Sequence, residues 1–86
     1  MDIIIDCAGI DSREALHHTL AEALSFPEWY GNNLDALYDC MAEITATIRL
    51  RHWDMAEAAL GSYGKNTRRV LTHAAQRNGP LEIIFE

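Results

Sequence analysis

The chain has 86 residues, of which 49% are hydrophobic and 23% charged, which predicts a globular domain with its own core rather than a disordered chain. Its net charge of −6 argues against nucleic acid as a partner, because phosphate binding requires clustered lysine and arginine. The aliphatic run near the start is too short for a signal peptide or a membrane span, so we expect a cytoplasmic protein that does not bind membranes.

The first two predicted elements are a strand and a helix. Residues 2–7 form an isoleucine-rich run, typical of a short strand that is buried on both faces. Asp11 or Ser12 can then cap a helix that runs to about Leu24, with Glu14 as the capping-box partner of Asp11. The positions of this helix expected to face the core are Leu16, Leu20, Ala23 and Leu24.

The remaining elements continue the alternation. A break over residues 26–32 precedes a second helix, capped by Asn33 and running to about Ile44. Residues 45–50 predict a second strand, and a short third helix ends near Gly61. A fourth helix is expected to start at Asn66 and end before Gly79, and residues 80–85 form a third strand.

The order β-α-α-β-α-α-β favours a parallel sheet, because parallel neighbours need long crossover connections. We therefore predict an α/β fold, a three-stranded parallel sheet packed by about four helices, formed by a single domain over residues 1–86. Cys7 and Cys40 lie inside predicted elements and form no CxxC motif, which indicates free thiols in a reducing compartment.

Charge is distributed unevenly along the chain. Residues 1–48 hold nine acids and the single base Arg13, a net charge of −8, whereas residues 49–86 hold four acids and six bases, a net charge of +2. An acidic field of this kind attracts cationic proteins.

Within the acidic half, Asp35 and Asp39 are four residues apart on the second predicted helix. They share one face of the helix and repel each other. This arrangement does not stabilise the helix, so a purely structural role does not explain it. Two carboxylates about 6 Å apart along a helix can imitate phosphate oxygens in a cationic nuclease pocket. Trp29 in the preceding loop could take the place of a stacked base, and Tyr38 lies beside the acids.

Residues 24–40, LSFPEWYGNNLDALYDC, closely resemble the signature of the barstar family. Weaker similarity continues through residues 16–20, Trp53 and residues 70–71, so the resemblance extends over essentially the whole chain. It implies an intracellular inhibitor of a basic, secreted-type microbial ribonuclease, with a three-stranded parallel sheet packed by helices, and no enzymatic activity of its own.

The same resemblance implies an inhibitory surface formed by the loop ending at Gly31 and the exposed face of the second helix. Asp39 would be the phosphate mimic in the nuclease catalytic centre, and Asp35 would pair with further cations. Aromatic contacts and the edge of the surface would come from Trp29, Tyr38, Asn33, Leu34 and Ala42. Two positions depart from the type member of the family: Gln76 replaces an acidic residue on the last helix, and Ile48 replaces a proline.

Other functions are less well supported by the residues. The four histidines His17, His18, His52 and His73 lack partners at zinc-ligand spacing, and no glycine-rich phosphate loop occurs, so we expect no metal and no cofactor. An interaction module that binds a cationic protein or toxin other than a ribonuclease remains the alternative, and an enzyme with an acidic site is a third. We expect the free protein to be a monomer.

Overall fold

The computed structural model describes all 86 residues and contains three strands and four helices. The elements are β1 (Asp2–Asp6), α1 (Arg13–Leu24), α2 (Leu34–Met41), β2 (Ala46–Arg51), α3 (Trp53–Leu60), α4 (Ser62–Arg77) and β3 (Leu81–Phe85). The three strands form one parallel sheet in the order β1-β2-β3. The predicted fold class and element order are therefore confirmed.

One face of the sheet is covered by the helices. Ala46, Ile48 and Leu50 alternate along the central strand β2 and are buried, with Ile5 of β1 in register with Leu50. Each helix adds apolar side chains to the same core, because its inward positions recur with the helical period. The fully buried helical hydrophobic residues are Leu16, Leu20, Leu37, Met41, Trp53, Ala56, Leu71 and Ala74.

The other face of the sheet lies open to solvent, so the prediction that β1 is buried on both faces is wrong. Ile4 is 59% exposed and is flanked by Asp2 and Asp6, which are also exposed. β1 also ends at Asp6, although Cys7 is itself buried. A run of isoleucines is compatible with either situation, since only the number of packed layers decides whether the second face is covered.

Two details of α1 differ from the prediction. Ser12, one of the two predicted candidates, is the N-cap, and its hydroxyl accepts a hydrogen bond from the Ala15 amide at 3.1 Å. Because the cap is Ser12, Glu14 is not placed to complete a capping box with Asp11. Ala23 is exposed and Ala21 is partly buried instead, so the core-facing stripe lies slightly to one side of the predicted one.

The predicted start of α4 is wrong by four residues, since the helix begins at Ser62 and contains Gly64. A glycine at this position suggests a break between two helices, but here it lies inside α4 and allows α4 to pack closely against α3. A Cβ added at Gly64 would lie 2.7 Å from the carbonyl oxygen and 2.8 Å from the Cα of Glu57 in α3. The close backbone approach of α3 and α4 therefore requires glycine at this position.

His17 is the one buried histidine, and both of its ring nitrogens have partners. Its Nδ1 lies 2.7 Å from the Tyr30 hydroxyl, and its Nε2 lies 2.7 Å from the Tyr63 hydroxyl. A neutral imidazole has one donor and one acceptor, which two hydroxyl groups can satisfy together. This cluster of three side chains joins α1, the loop before α2 and α4.

We expect Ile5→Ala and Ile4→Ala to differ strongly in stability, although the two residues are adjacent. Ile5 is 3% exposed, so its truncation leaves a cavity in the core and lowers the free energy of unfolding by about 2–5 kcal/mol. Ile4 lies on the open face, where the same change should cost about 1 kcal/mol or less. Urea denaturation of both variants checks this, and equal losses would contradict a sheet with one open face.

We expect the free energy of unfolding to decrease as the pH is lowered, over a range set by the pKa of His17. Burial lowers the pKa of His17 from its usual value of 6.5, so the unfolded chain takes up the proton first. The free energy of unfolding is then fully retained above about pH 6.5 and decreases as the pH falls through the lower pKa of the folded state. The check is the urea midpoint measured from about pH 8 to pH 5. His17→Gln should make this midpoint depend less on pH, whereas His18→Gln, which changes an exposed neighbour, should leave the pH dependence as it is.

Candidate functional site

The loop before α2 exposes Trp29 because its neighbour Tyr30 is held in place. The Tyr30 ring is 7% exposed and packs against Phe26 at a centroid distance of 4.8 Å. Its amide donates to the Pro27 carbonyl at 2.9 Å, and its hydroxyl reaches His17. The adjacent Trp29 is 82% exposed, an unusual position for so large an apolar side chain and one typical of binding surfaces.

The N-terminus of α2 is fixed to this loop by Asn33. The Asn33 side-chain oxygen accepts from the Ala36 amide at 2.8 Å, and its Nδ2 donates to the Gly31 carbonyl at 3.2 Å. A side chain at Gly31 would lie only 3.0 Å from the same Nδ2, so a larger residue would disturb the cap. Asn33 thus performs the predicted capping role and also sets the geometry between loop and helix.

The C-terminus of α2 is fixed by α4. The helix ends at Met41 rather than near Ile44, and a tight turn follows in which the Ile44 amide donates to the Met41 carbonyl. The side chain of Asn78, the C-cap of α4, donates to the carbonyls of Met41 and Ile44 at 3.1 and 2.8 Å. The Ile44 carbonyl therefore has a partner only through tertiary contact, and the Met41 carbonyl gains a second partner in the same way, which sequence periodicity does not reveal.

Between these two anchors, α2 has a buried and an exposed face. Leu37 and Met41 are buried, while Asp35 and Asp39 are exposed. Neither aspartate forms an ion pair, in contrast to Asp6, which pairs with His52, and to other carboxylates outside α2 that pair with His or Arg: Glu22, Glu57 and Glu86. The two aligned carboxylates of α2 are therefore available to a partner.

Asp39 lies where two surface depressions meet. The first, which we call the tryptophan hollow, is lined by Trp29, Tyr30, Gly31, Ala36, Asp39, Cys40 and Glu43. The second, the interhelix groove between α2 and α4, is lined by Leu34, Asp35, Tyr38, Asp39, Arg69, Val70 and His73. Only Asp39 borders both, so its carboxylate is the central charge of the surface.

Both cysteines are free thiols. Burial raises the pKa of the Cys7 thiol to about 11, with a smaller contribution from Asp6. Burial also raises the pKa of Cys40, and the neighbouring carboxylates of Glu43 and Asp39 add to the effect. Both groups stay protonated near neutral pH, so neither is activated as a nucleophile.

Six of the nine residues predicted for the site line the tryptophan hollow or the interhelix groove: Trp29, Gly31, Leu34, Asp35, Tyr38 and Asp39. Asn33 lines neither, although it caps α2 next to Gly31. Ala42 is exposed as the C-cap of α2 but borders neither depression. Gln76 lies on α4 in a different groove, beside β3 and next to Leu81 and Glu82. Two residues of the interhelix groove, Arg69 and His73, were not among the residues predicted for the site. Their spacing of four residues places both on one face of α4.

The structure shows no group of three or more His, Cys, Asp or Glu side chains arranged to hold a metal ion. None of the four helices has the length and hydrophobicity that a membrane crossing requires.

The parallel sheet and its four helices define a small α/β domain, and comparison with known proteins identifies its family. A family model described as "Barstar (barnase inhibitor)" matches residues 1–86. The chain is 36% identical over 88 residues to "Putative ribonuclease inhibitor YrdF" of Bacillus subtilis (strain 168), covering 98% of this chain and 97% of that protein. The chain belongs to the barstar family, and the resemblance found at residues 24–40 is confirmed.

Proposed function

We propose that the protein is an intracellular inhibitor of a small basic ribonuclease of the barnase type, and that it covers the catalytic cleft with α2 and the preceding loop. Asp39 acts as the phosphate mimic, Asp35 pairs with further cations of the cleft, and Trp29 and Tyr38 make aromatic contacts. Gly31, Asn33 and Leu34 complete the edge of the surface. The free protein is a monomer that binds the ribonuclease without a cofactor.

The observation that carries this proposal is the position of Asp39. Its carboxylate is exposed, has no ion-pair partner and borders both the tryptophan hollow and the interhelix groove. A ribonuclease must gather cationic side chains around the scissile phosphate. An anion presented on a rigid helix meets those cations without a large entropy cost, because Asn33, Asn78 and the buried face already hold α2 in place.

The proximity of Trp29 to Asp39 supports the same function. An RNA substrate offers a phosphate and a base side by side, and the tryptophan hollow brings an aromatic ring and a carboxylate to one surface. The family description and the name of the Bacillus subtilis relative agree with a ribonuclease as the partner.

Asp39→Asn should weaken inhibition of barnase while leaving the fold intact. The substitution keeps the shape of the side chain and removes its charge, so the cations of the nuclease would be buried without a partner. Such a loss costs about 2–5 kcal/mol or more in protein complexes, the barnase–barstar pair among them, which corresponds to at least about thirtyfold weaker binding. Folding stability should stay the same or rise, because the repulsion with Asp35 is relieved.

The measurements are a ribonuclease assay with barnase and a urea denaturation curve. Asp54→Asn is a matched control, since it removes the same charge from an exposed position on α3, beside Arg51 and His52. Unchanged inhibition by Asp39→Asn would contradict the proposal, as would absence of inhibition by the wild-type protein. If the immobilised wild-type protein retains a cationic protein without ribonuclease activity, and Asp39→Asn does not, the alternative interaction module is supported instead.

Association with barnase should slow as salt is added. The charge of −8 in residues 1–48 attracts a basic protein over long distances, and salt screens that attraction. Stopped-flow measurements between about 0.05 and 0.5 M NaCl should show a marked fall in the association rate and a smaller change in dissociation. A salt-independent association rate would contradict electrostatic steering.

A further inference from the structure

The two helices that border the interhelix groove carry opposite charges. α2 contains Asp35 and Asp39 and no base. α4 contains no acid over its 16 residues and carries five side chains that are or can become cationic: Lys65, Arg68, Arg69, His73 and Arg77. Of these five, Arg69 and His73 line the groove opposite the aspartates.

These opposite charges do not pair with each other across the groove. Asp35 and Asp39 form no ion pair, and the Arg69 guanidinium donates only to the side chain of Asn66, on its own helix, at 3.3 Å. The adjacent Arg68 behaves differently, since it pairs with Glu57 at 2.6 Å and stacks on Phe85. Arg68 has a structural partner, whereas Arg69 has none outside its own helix.

The contact between α2 and α4 does not depend on these charges. Leu34, Tyr38 and Val70 are partly buried against the core and line the floor of the groove. Asn78 adds hydrogen bonds from α4 to the end of α2. Arg69 and His73 therefore form a second rim of the binding surface, which we call the basic rim. Apart from the one hydrogen bond from Arg69 to Asn66, their donors remain free for a partner.

A partner that presents only cations does not fit this surface. Its charges would meet Asp35 and Asp39 favourably, but the same contact would place other cations against Arg69, and like charges brought together in an interface are strongly unfavourable. A guanidinium is best satisfied by a carboxylate, which can accept two parallel hydrogen bonds from it.

We propose that the basic rim is a specificity determinant, and that the ribonuclease carries an Asp or Glu side chain beside its cationic cleft that binds Arg69 and His73. This inference rests on the proposed function and adds to it the charge pattern of the partner: cationic opposite α2 and anionic opposite α4. It selects among basic ribonucleases, because one without that carboxylate would be rejected by Arg69.

The test is charge reversal on α4, with barnase as the ribonuclease. Arg69→Glu, Arg69→Gln and His73→Ala alter the basic rim, and Lys65→Glu is the matched control, one helical turn earlier and outside the groove. Both reversals alter long-range attraction alike, so dissociation rates are the decisive quantity. Arg69→Glu should dissociate at least about tenfold faster than the wild type, with smaller increases for Arg69→Gln and His73→Ala, and Lys65→Glu should stay within about twofold.

The outcomes separate this inference from the proposed function. Equal or slower dissociation of Arg69→Glu, with Asp39→Asn still weakened, would overturn the basic rim and leave the inhibitor role intact. A wild-type protein that does not inhibit barnase would overturn the proposed function and this inference with it. Sedimentation of the wild type and of Arg69→Glu without barnase completes the test. If the wild type is a dimer and Arg69→Glu is a monomer, a second copy of the chain occupies the groove, and the inference is overturned.

Discussion

The imidazole of His17 bridges two tyrosine hydroxyls, and the position of the proposed binding surface depends on this bridge. Tyr30 belongs to the loop that exposes Trp29, and Tyr63 belongs to α4, which carries the basic rim. Each hydrogen bond is 2.7 Å long. The first joins α1 to the loop that follows it, and the second joins α1 to α4, 46 residues further along the chain. Arg13 lies over the Tyr63 ring at 4.4 Å and holds it from the solvent side. Because these contacts are largely buried, breaking one leaves polar groups without partners, which makes the arrangement rigid.

Rigidity matters here because α2 has only eight residues, too few to be stable alone in water. Asn33 at one end, Asn78 at the other and the buried pair Leu37 and Met41 supply what the short helix lacks. Asp35 lies in the first turn, where the helix dipole favours an acid, but Asp39 lies too far along the helix to benefit, and the mutual repulsion of the two opposes stability slightly. The fold thus holds α2 through its ends and its buried face, so the residues of its outer face are not needed for stability and are available for the proposed binding.

The order of the elements could be predicted from the sequence because each has a clear local signal, such as the alternation of β2 or the Asn33 cap of α2. The exposed pair Asp35 and Asp39 followed from helical spacing alone. The missed features depend on neighbours that are remote in the chain. From the sequence alone Gly64 predicts a break between helices, and only the packing of the Glu57 backbone against it explains a glycine inside α4. The exposed side of β1 likewise depends on the absence of a second helical layer. Arg69 and His73 join the surface only because α4 packs beside α2.

The two tryptophans lie in opposite environments. Trp53 is fully buried, with its indole nitrogen donating to Glu57 and its ring beside Phe85, whereas Trp29 projects into solvent. Indole emission depends on the polarity around the ring, so the chain carries two natural fluorophores that report on different events. Soluble quenchers reach Trp29 and not Trp53, which separates their signals in the folded state. Emission from Trp29 would follow occupation of the proposed surface, and emission from Trp53 follows the integrity of the core. A single unlabelled sample would therefore distinguish a variant that no longer binds from one that no longer folds.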